Sequence, residues 1–146
     1  MEKESYSVSV IVPIYKVERF IERCVTSLME QTLREVEFIF VDDATPDGSI
    51  RLLEEVVACY PGRREHVRLI RHEQNRGLPA ARNSGLAVAR GEYVFHCDSD
   101  DYVDPEMLEQ LYARAREADA DVVWCDWWLS FGRNRSEEHT SELQSL

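Results

Sequence analysis

The sequence predicts an α/β fold, a mostly parallel, doubly wound sheet with helices on both faces, and three observations predict it. Short β-branched apolar runs alternate five times with segments whose apolar residues recur at helical spacing. The connections between them are short and polar, as βαβ units require. Acidic residues follow two of the runs directly, and in a parallel sheet the carboxyl ends of the strands share one ligand-binding edge.

Each element has its own reason in the sequence. Val8-Ser9-Val10-Ile11-Val12-Pro13 is a β-branched run closed by proline and reads as a buried strand. Phe20, Ile21, Cys24, Val25, Leu28 and Met29 predict a helix over 17–31. Val36-Glu37-Phe38-Ile39-Phe40-Val41 is the second strand and delivers Asp42 and Asp43 at its end. After a turn at 44–48, Ile50, Leu52, Leu53, Val56 and Val57 carry a second helix. A third strand is predicted at 67–70, and Asn75-Arg76-Gly77 breaks the chain before a helix over 79–89. The fourth strand is 93–97, the next helix 105–117 and a fifth strand 122–125.

A chain of 146 residues, 44% hydrophobic and 10% aromatic, is long and apolar enough for one globular domain. No apolar run approaches the roughly 20 residues of a membrane span. The charged start Met1-Glu2-Lys3-Glu4-Ser5 is unlike a signal peptide, so the expected location is cytoplasmic. A formal net charge of -11 argues against a nucleic-acid partner, though a metal or a helix N-terminus can still hold a small anion. Cys24, Cys59, Cys97 and Cys125 show no C-x-x-C spacing and predict buried reduced thiols.

Asp98-Ser99-Asp100 is the most informative motif. It follows the apolar run Tyr93-Val94-Phe95-His96-Cys97, so two carboxylates two residues apart arrive at a strand end and can face one hard cation. Asp42-Asp43 suits a solvated turn or helix cap as well as hydrogen bonds to a base or ribose. Asp47 reads as a helix cap before Ser49. Arg82 lies among Ala80, Ala81, Gly85 and Ala87, small residues that allow close helix–sheet packing. It reads either as a surface arginine or as a bidentate diphosphate ligand. Rival motifs fail. There is no phosphate-binding P-loop and no G-x-G-x-x-G fingerprint. An EF-hand starting at Asp98 would put Tyr102 and Val103 where a ligand and a glycine are needed. His66, His72 and His96 share no metal spacing, and His96 reads as a packed core histidine.

The segments VSVIVPIYKVERFIERCVTSLMEQT, VEFIFVDDATPDGS and NRGLPAARNSGLAVARGEYVFHCDSDD follow one another over residues 7–126. In them the chain resembles the family 2 glycosyltransferases. The resemblance implies the Rossmann-like GT-A fold, which binds nucleotide-diphospho-sugars. By position it implies that Pro13 and Tyr15 line a base pocket together with Glu18, and that Asp43 binds the base or ribose. Arg82 would approach the base or diphosphate, and Asp98 would lie near the ribose and sugar. Asp100 would hold a Mg²⁺ or Mn²⁺ bridging the phosphates. Lys16 stands where the family usually has asparagine, which implies a local change.

The resemblance further implies inverting transfer of the sugar to an acceptor hydroxyl of a glycan or lipid-linked acceptor, in polysaccharide or glycoconjugate synthesis. The family's general base is a carboxylate well beyond the Asp-x-Asp. It has no counterpart here, and Asp126 is not in its place, so the chain as given is expected not to turn over. The sheet is expected to be incomplete at its C-terminal end, leaving an open edge and an unpacked cluster of Trp124, Trp127, Trp128, Leu129 and Phe131. Membrane association would come through a missing C-terminal region, at the inner face of the membrane.

Residues 135–146, RSEEHTSELQSL, lack apolar periodicity and resemble the in-frame translation of a sequencing-library adapter. The expected organisation is therefore a partial nucleotide-sugar-binding domain at 1–134 and an adapter-derived tail at 135–146. Other classes stay open: a non-catalytic nucleotide-sugar-binding module, or a non-functional gene fragment. A sugar nucleotidyltransferase would need a basic, glycine-rich loop where Pro13-Ile14-Tyr15-Lys16-Val17 stands.

Overall fold

A computed structural model of the chain describes residues 5–130 and 136–139. Its elements run β1 (Val8–Ile14), α1 (Ile21–Met29), β2 (Val36–Asp42), α2 (Ser49–Ala58), β3 (Val67–Arg71), α3 (Leu78–Val88), β4 (Tyr93–His96), α4 (Met107–Ala118), β5 (Trp127–Ser130) and β6 (Ser136–His139). The first four strands form one parallel sheet in the order β3-β2-β1-β4.

Every residue of β1 and β2 is buried, which is why both read as unbroken apolar runs. The period of two divides the core. Val8, Val10, Val12 and Ile14 share one cluster with Ile21, Val25 and Leu28 of α1, Leu53 and Val57 of α2, and Leu108 of α4. Ile39 and Val41 form a second cluster with Ala81 of α3. Helices thus cover both faces of the sheet. The chain steps from β1 to β3 in one direction with α1 and α2 on one side. It then reverses through α3 on the other side to place β4 beside β1, as right-handed crossovers demand.

Helix α3 lies close against the sheet. A Cβ on Gly85 would stand 2.5 Å from Ile11 Cγ2, so only glycine fits there. At the opposite end of the strands, buried Glu37 accepts from the Ser9 hydroxyl and the Arg90 amide, each at 2.6 Å. This ties the α3–β4 connection to the sheet.

Several boundaries differ from the sequence expectation. Helix α1 begins at Ile21, not at residue 17. Residues 18–20 form a turn in which the Phe20 and Ile21 amides donate to the Val17 carbonyl at 2.8 and 2.9 Å. The Val17 and Glu18 amides are taken by Ser49 Oγ at 3.2 Å and Asp47 Oδ2 at 3.4 Å. The end of α1 is set by Arg63, a buried residue whose guanidinium donates to the carbonyls of Met29, Gln31, Leu33 and Arg34. A cation at a helix C-terminus is favoured by the dipole, although burial here lowers its pKa. The Gln31 side chain donates to the Asp104 carbonyl at 2.6 Å and accepts from the Leu108 amide at 3.0 Å, joining the ends of α1 and α4.

The predicted fifth strand at 122–125 is not a strand. Those residues take no regular secondary structure, and among the described residues no neighbouring strand offers them a ladder. The strand comes later instead, as β5 paired antiparallel with β6 in a separate two-stranded sheet. Trp127 and Leu129 are exposed, while Trp124 is half-buried. Phe131 lies outside the described residues. His96 is exposed and not packed in the core. Cys24 and Cys97 are buried as expected, whereas Cys59 and Cys125 are exposed; all four are free. No helix among the described residues is long and apolar enough to cross a membrane.

Candidate functional site

The strand order places a topological switch point between β1 and β4, where an open α/β sheet forms its ligand crevice. The strands separate there. Their ladder runs only from Val8↔Tyr93 to Ile11↔His96, with one further bond from the Cys97 amide to the Ile11 carbonyl at 3.0 Å. The Ile11 carbonyl faces β4 and the Ile14 carbonyl faces β2, where it accepts from the Asp43 amide at 3.0 Å. By alternation Pro13 faces β4 beyond the end of that pairing, so its missing N–H costs no ladder bond. Pro13 itself is buried, and Tyr15, two residues on, is exposed.

Across the gap, β4 delivers the acidic motif. Ligand oxygens of Asp98, Asp100 and Asp101 all lie within 4.8 Å of one another, and all three residues are exposed. Burial, then the neighbouring charges of Asp100 and Asp98, push the Asp101 carboxyl above its usual range. Three converging carboxylates that repel one another suit a hard divalent cation, so the donor set fits Mg²⁺ or Mn²⁺. The motif's backbone is fixed from below: the buried Cys24 and Cys97 thiols both approach the Asp98 carbonyl, at 3.8 and 3.5 Å. The neighbouring Cys97 thiol and burial push the Cys24 pKa up, which leaves it a protonated donor.

Arg82 reaches the same place from α3. Its Nη2 lies 3.0 Å from Asp98 Oδ1, while its Nε is buried and has no hydrogen-bond partner. A buried guanidinium N–H without an acceptor is costly, while the exposed edge of the same group can pair with an anion bidentately.

Asp43 turns inward, not toward open solvent. Its side chain is 4% exposed and accepts from four donors. Oδ1 takes His72 Nδ1 and the Arg76 amide, both at 2.8 Å, and Oδ2 takes Asn75 Nδ2 and the Gly77 amide, both at 2.9 Å. Those four bonds use the roughly four lone-pair sites of a carboxylate. Burial alone would raise the Asp43 pKa, but the His72, Arg76 and Gly77 bonds outweigh it and hold the group below its usual range. Gly77, the N-cap of α3, has φ 92°, a left-handed conformation that favours glycine.

Glu18 belongs to a third group, between the loops after β1 and β2. The Thr45 hydroxyl accepts from the Lys16 amide at 2.8 Å and donates to Asp47 Oδ1 at 2.8 Å. Asp47 also accepts from the Ser49 amide at 3.1 Å, at the start of α2. Burial works against the Asp47 charge, but the Ser49 and Thr45 hydroxyls keep its pKa low. The Glu18 carboxylate lies against Gly48, so close that a Cβ there would stand 2.7 Å from Oε1. Lys16 sits at φ 53° with its Nζ 5.3 Å from the Tyr15 ring centroid, a local arrangement peculiar to this loop.

The structure therefore unites Arg82, Asp98 and Asp100 at the switch point and adds Asp101, which the sequence reading passed over. Pro13 and Tyr15 lie at and just beyond the end of β1, on one side of that switch point. Asp43 and Glu18 sit in two flanking networks. His72, Asn75 and Ser84 were missed as members of the Asp43 network. Asp43 lies 29 or more positions from His72 and Asn75 in sequence, so no local pattern announces the contact.

Comparisons with known proteins agree with this geometry. The family model described as Glycosyl transferase family 2 matches residues 9–145. The chain is 44% identical over 129 residues to the glycosyltransferase EpsJ of Bacillus subtilis (strain 168), covering 88% of this chain and 36% of that protein. Glycosyltransferase GlyG of Streptococcus pneumoniae is 39% identical over 116 residues, 80% of this chain and 37% of that one. Among solved structures, S. aureus TarS 1–349 in complex with UDP superposes with a TM-score of 0.70 at 33% identity, over 79% of this chain and 33% of that chain. The mannosyltransferase PcManGT from Pyrobaculum calidifontis, in complex with GDP-Man and Mn²⁺, superposes with a TM-score of 0.62 at 30% identity, over 67% and 28%. The matched part spans little more than a third of the length of these two relatives.

Proposed function

This chain belongs to glycosyl transferase family 2 and has the GT-A fold, and from that premise we propose that it is the nucleotide-sugar-binding part of an inverting glycosyltransferase. The observation that carries the proposal is the meeting of Arg82 with Asp98, Asp100 and Asp101 at the β1/β4 switch point. A nucleoside diphosphate suits that site because it needs a cation for its phosphates and donors for its remaining oxygens.

In this reading Asp100 holds a Mg²⁺ or Mn²⁺, with Asp98 and Asp101 completing the carboxylate set. The bound cation would offset negative charge on the diphosphate as the sugar leaves. Arg82 presents the exposed edge of its guanidinium to the same phosphates. Tyr15 and Pro13 border the base, Glu18 lines the same pocket, and Asp98 lies near the ribose and sugar. Asp43 acts chiefly by shaping the 75–77 turn. A direct bond to base or ribose would exchange with a side-chain donor, the Asn75 amide or the His72 ring, and leave the Arg76 and Gly77 backbone bonds in place.

The acceptor is a hydroxyl of a glycan or lipid-linked acceptor, attacked from the face opposite the diphosphate in polysaccharide or glycoconjugate synthesis. The expected setting is the cytoplasm, at the inner face of the membrane where such acceptors are presented. A protein of the relatives' full length, given UDP-GlcNAc or GDP-Man with Mn²⁺, should release the nucleoside diphosphate. Arg82→Ala and Asp100→Asn should slow release about a hundredfold or more. Equal rates in wild type and both variants would overturn the assignment.

A further inference from the structure

We propose that His72 is a positioning residue of the donor site, fixing the 75–77 turn through Asp43 and helix α3 through Ser84, and with them the guanidinium of Arg82. The proposal rests on the nucleotide-sugar reading above. His72 follows β3 directly, and its amide donates to the Asp42 carbonyl at 2.8 Å, extending the β2–β3 ladder by one bond. Its side chain is 6% exposed. Nδ1 lies 2.8 Å from Asp43 Oδ1 and Nε2 lies 2.7 Å from Ser84 Oγ. One ring therefore joins the end of β2, the end of β3 and the interior of α3.

Asp43 is ionised and only accepts, so Nδ1 is the donor of that bond. The other ring nitrogen, Nε2, makes the hydrogen bond with the Ser84 hydroxyl, which can serve as either donor or acceptor. A rigid ring with nitrogens at opposite corners sets the spacing between Asp43 and Ser84, which a flexible side chain would leave loose.

The consequence reaches the ligand edge through α3. Ser84 and Arg82 lie two residues apart on that helix, so they point in different directions. Ser84 is held by His72 while Arg82 reaches Asp98 at 3.0 Å. Cutting the Ser84–His72 bond frees the rotation of α3 about the Gly85–Ile11 contact. Cutting the His72–Asp43 bond leaves the Asp43 carboxylate on three donors and loosens the turn that starts the helix.

The test pairs Ser84→Ala with His72→Asn, the first being the milder change should the second fold poorly. UDP and GDP binding in the presence of Mn²⁺ is measured by calorimetry, together with binding of Mn²⁺ alone. Each single variant should bind the nucleotide about five- to tenfold more weakly, the loss of one or two net hydrogen bonds, with Mn²⁺ affinity unchanged. The double variant should lose no more than the weaker single, because both changes cut one relay. Amide exchange at Arg76 and Gly77 should quicken in His72→Asn. Unchanged nucleotide affinity in both singles, or strictly additive losses, would overturn the proposal whatever happens to Tm. If the wild-type protein binds neither nucleotide, the donor-site reading falls and this proposal with it. Wild-type binding with indifferent variants removes the proposal alone.

Discussion

Exposed Asp101 and buried Asp43 respond to their surroundings in opposite ways. Asp101 is pushed above its usual pKa by burial and by Asp98 and Asp100, so the ionised cluster carries repulsion that a divalent cation relieves. Mn²⁺ should therefore raise Tm in a concentration-dependent way, and Asp100→Asn should remove most of the shift. The rise should shrink as pH falls through the carboxylate range, because protonated ligands release the metal. Asp43 is held below its usual pKa. Its contribution to stability is complete above the unfolded carboxylate value of about 3.9 and is lost as pH falls through the lower folded value. Asp43→Asn, which turns an NH₂ toward backbone donors, should cost about 2–4 kcal/mol near pH 7 by urea unfolding. The difference from wild type should narrow in acid. At this scale the sequence was legible where chemistry is local. Asp98 and Asp100 share one motif, so their convergence could be read directly. Asp43 could be recognised as special but not as turned inward, because its donors come from a turn more than thirty positions away.

Elements were legible where burial imposes a period, and less so where loops capture their ends. β1, β2 and the helical spacing of Ile21, Cys24, Val25 and Leu28 all emerged as expected. The start of α1 did not: residues 18–20 form a turn closed on the Val17 carbonyl, tied to distant Ser49 and Asp47 through the Val17 and Glu18 amides. The strand expected at 122–125 failed for a related reason: an apolar run becomes a strand only beside a partner. Gly85→Ala tests the closeness of α3. The added Cβ would meet Ile11 at 2.5 Å, so a loss of about 1–3 kcal/mol is expected by urea unfolding. The push on α3 should also weaken nucleotide binding. Arg63→Met would leave the carbonyls of Met29, Gln31, Leu33 and Arg34 without their shared donor. A destabilisation of about 3 kcal/mol should follow, visible as a lower urea midpoint at unchanged slope.

For the whole molecule, the strand order is what turns scattered motifs into a site. Read along the sequence, Pro13, Arg82 and Asp98 belong to three separate segments. The order β3-β2-β1-β4 brings the ends of β1 and β4 together, and Arg82 reaches Asp98 there from α3. The alternation of elements could be read from the sequence, but not which strands are neighbours. The 135–146 tail belongs to this scale too. Sequencing the source DNA across the codons for Asn134 and Arg135 should show a frame that departs from RSEEHTSELQSL; a genomic frame encoding that stretch would refute its adapter origin. The central claim concerns the switch point, and calorimetric titration of UDP and of GDP into the protein, with and without Mn²⁺, tests it most directly. One nucleotide should bind only when Mn²⁺ is present, and both Arg82→Ala and Asp100→Asn should abolish that binding. Failure of both nucleotides to bind, or binding indifferent to Mn²⁺ and to Arg82, would contradict the account.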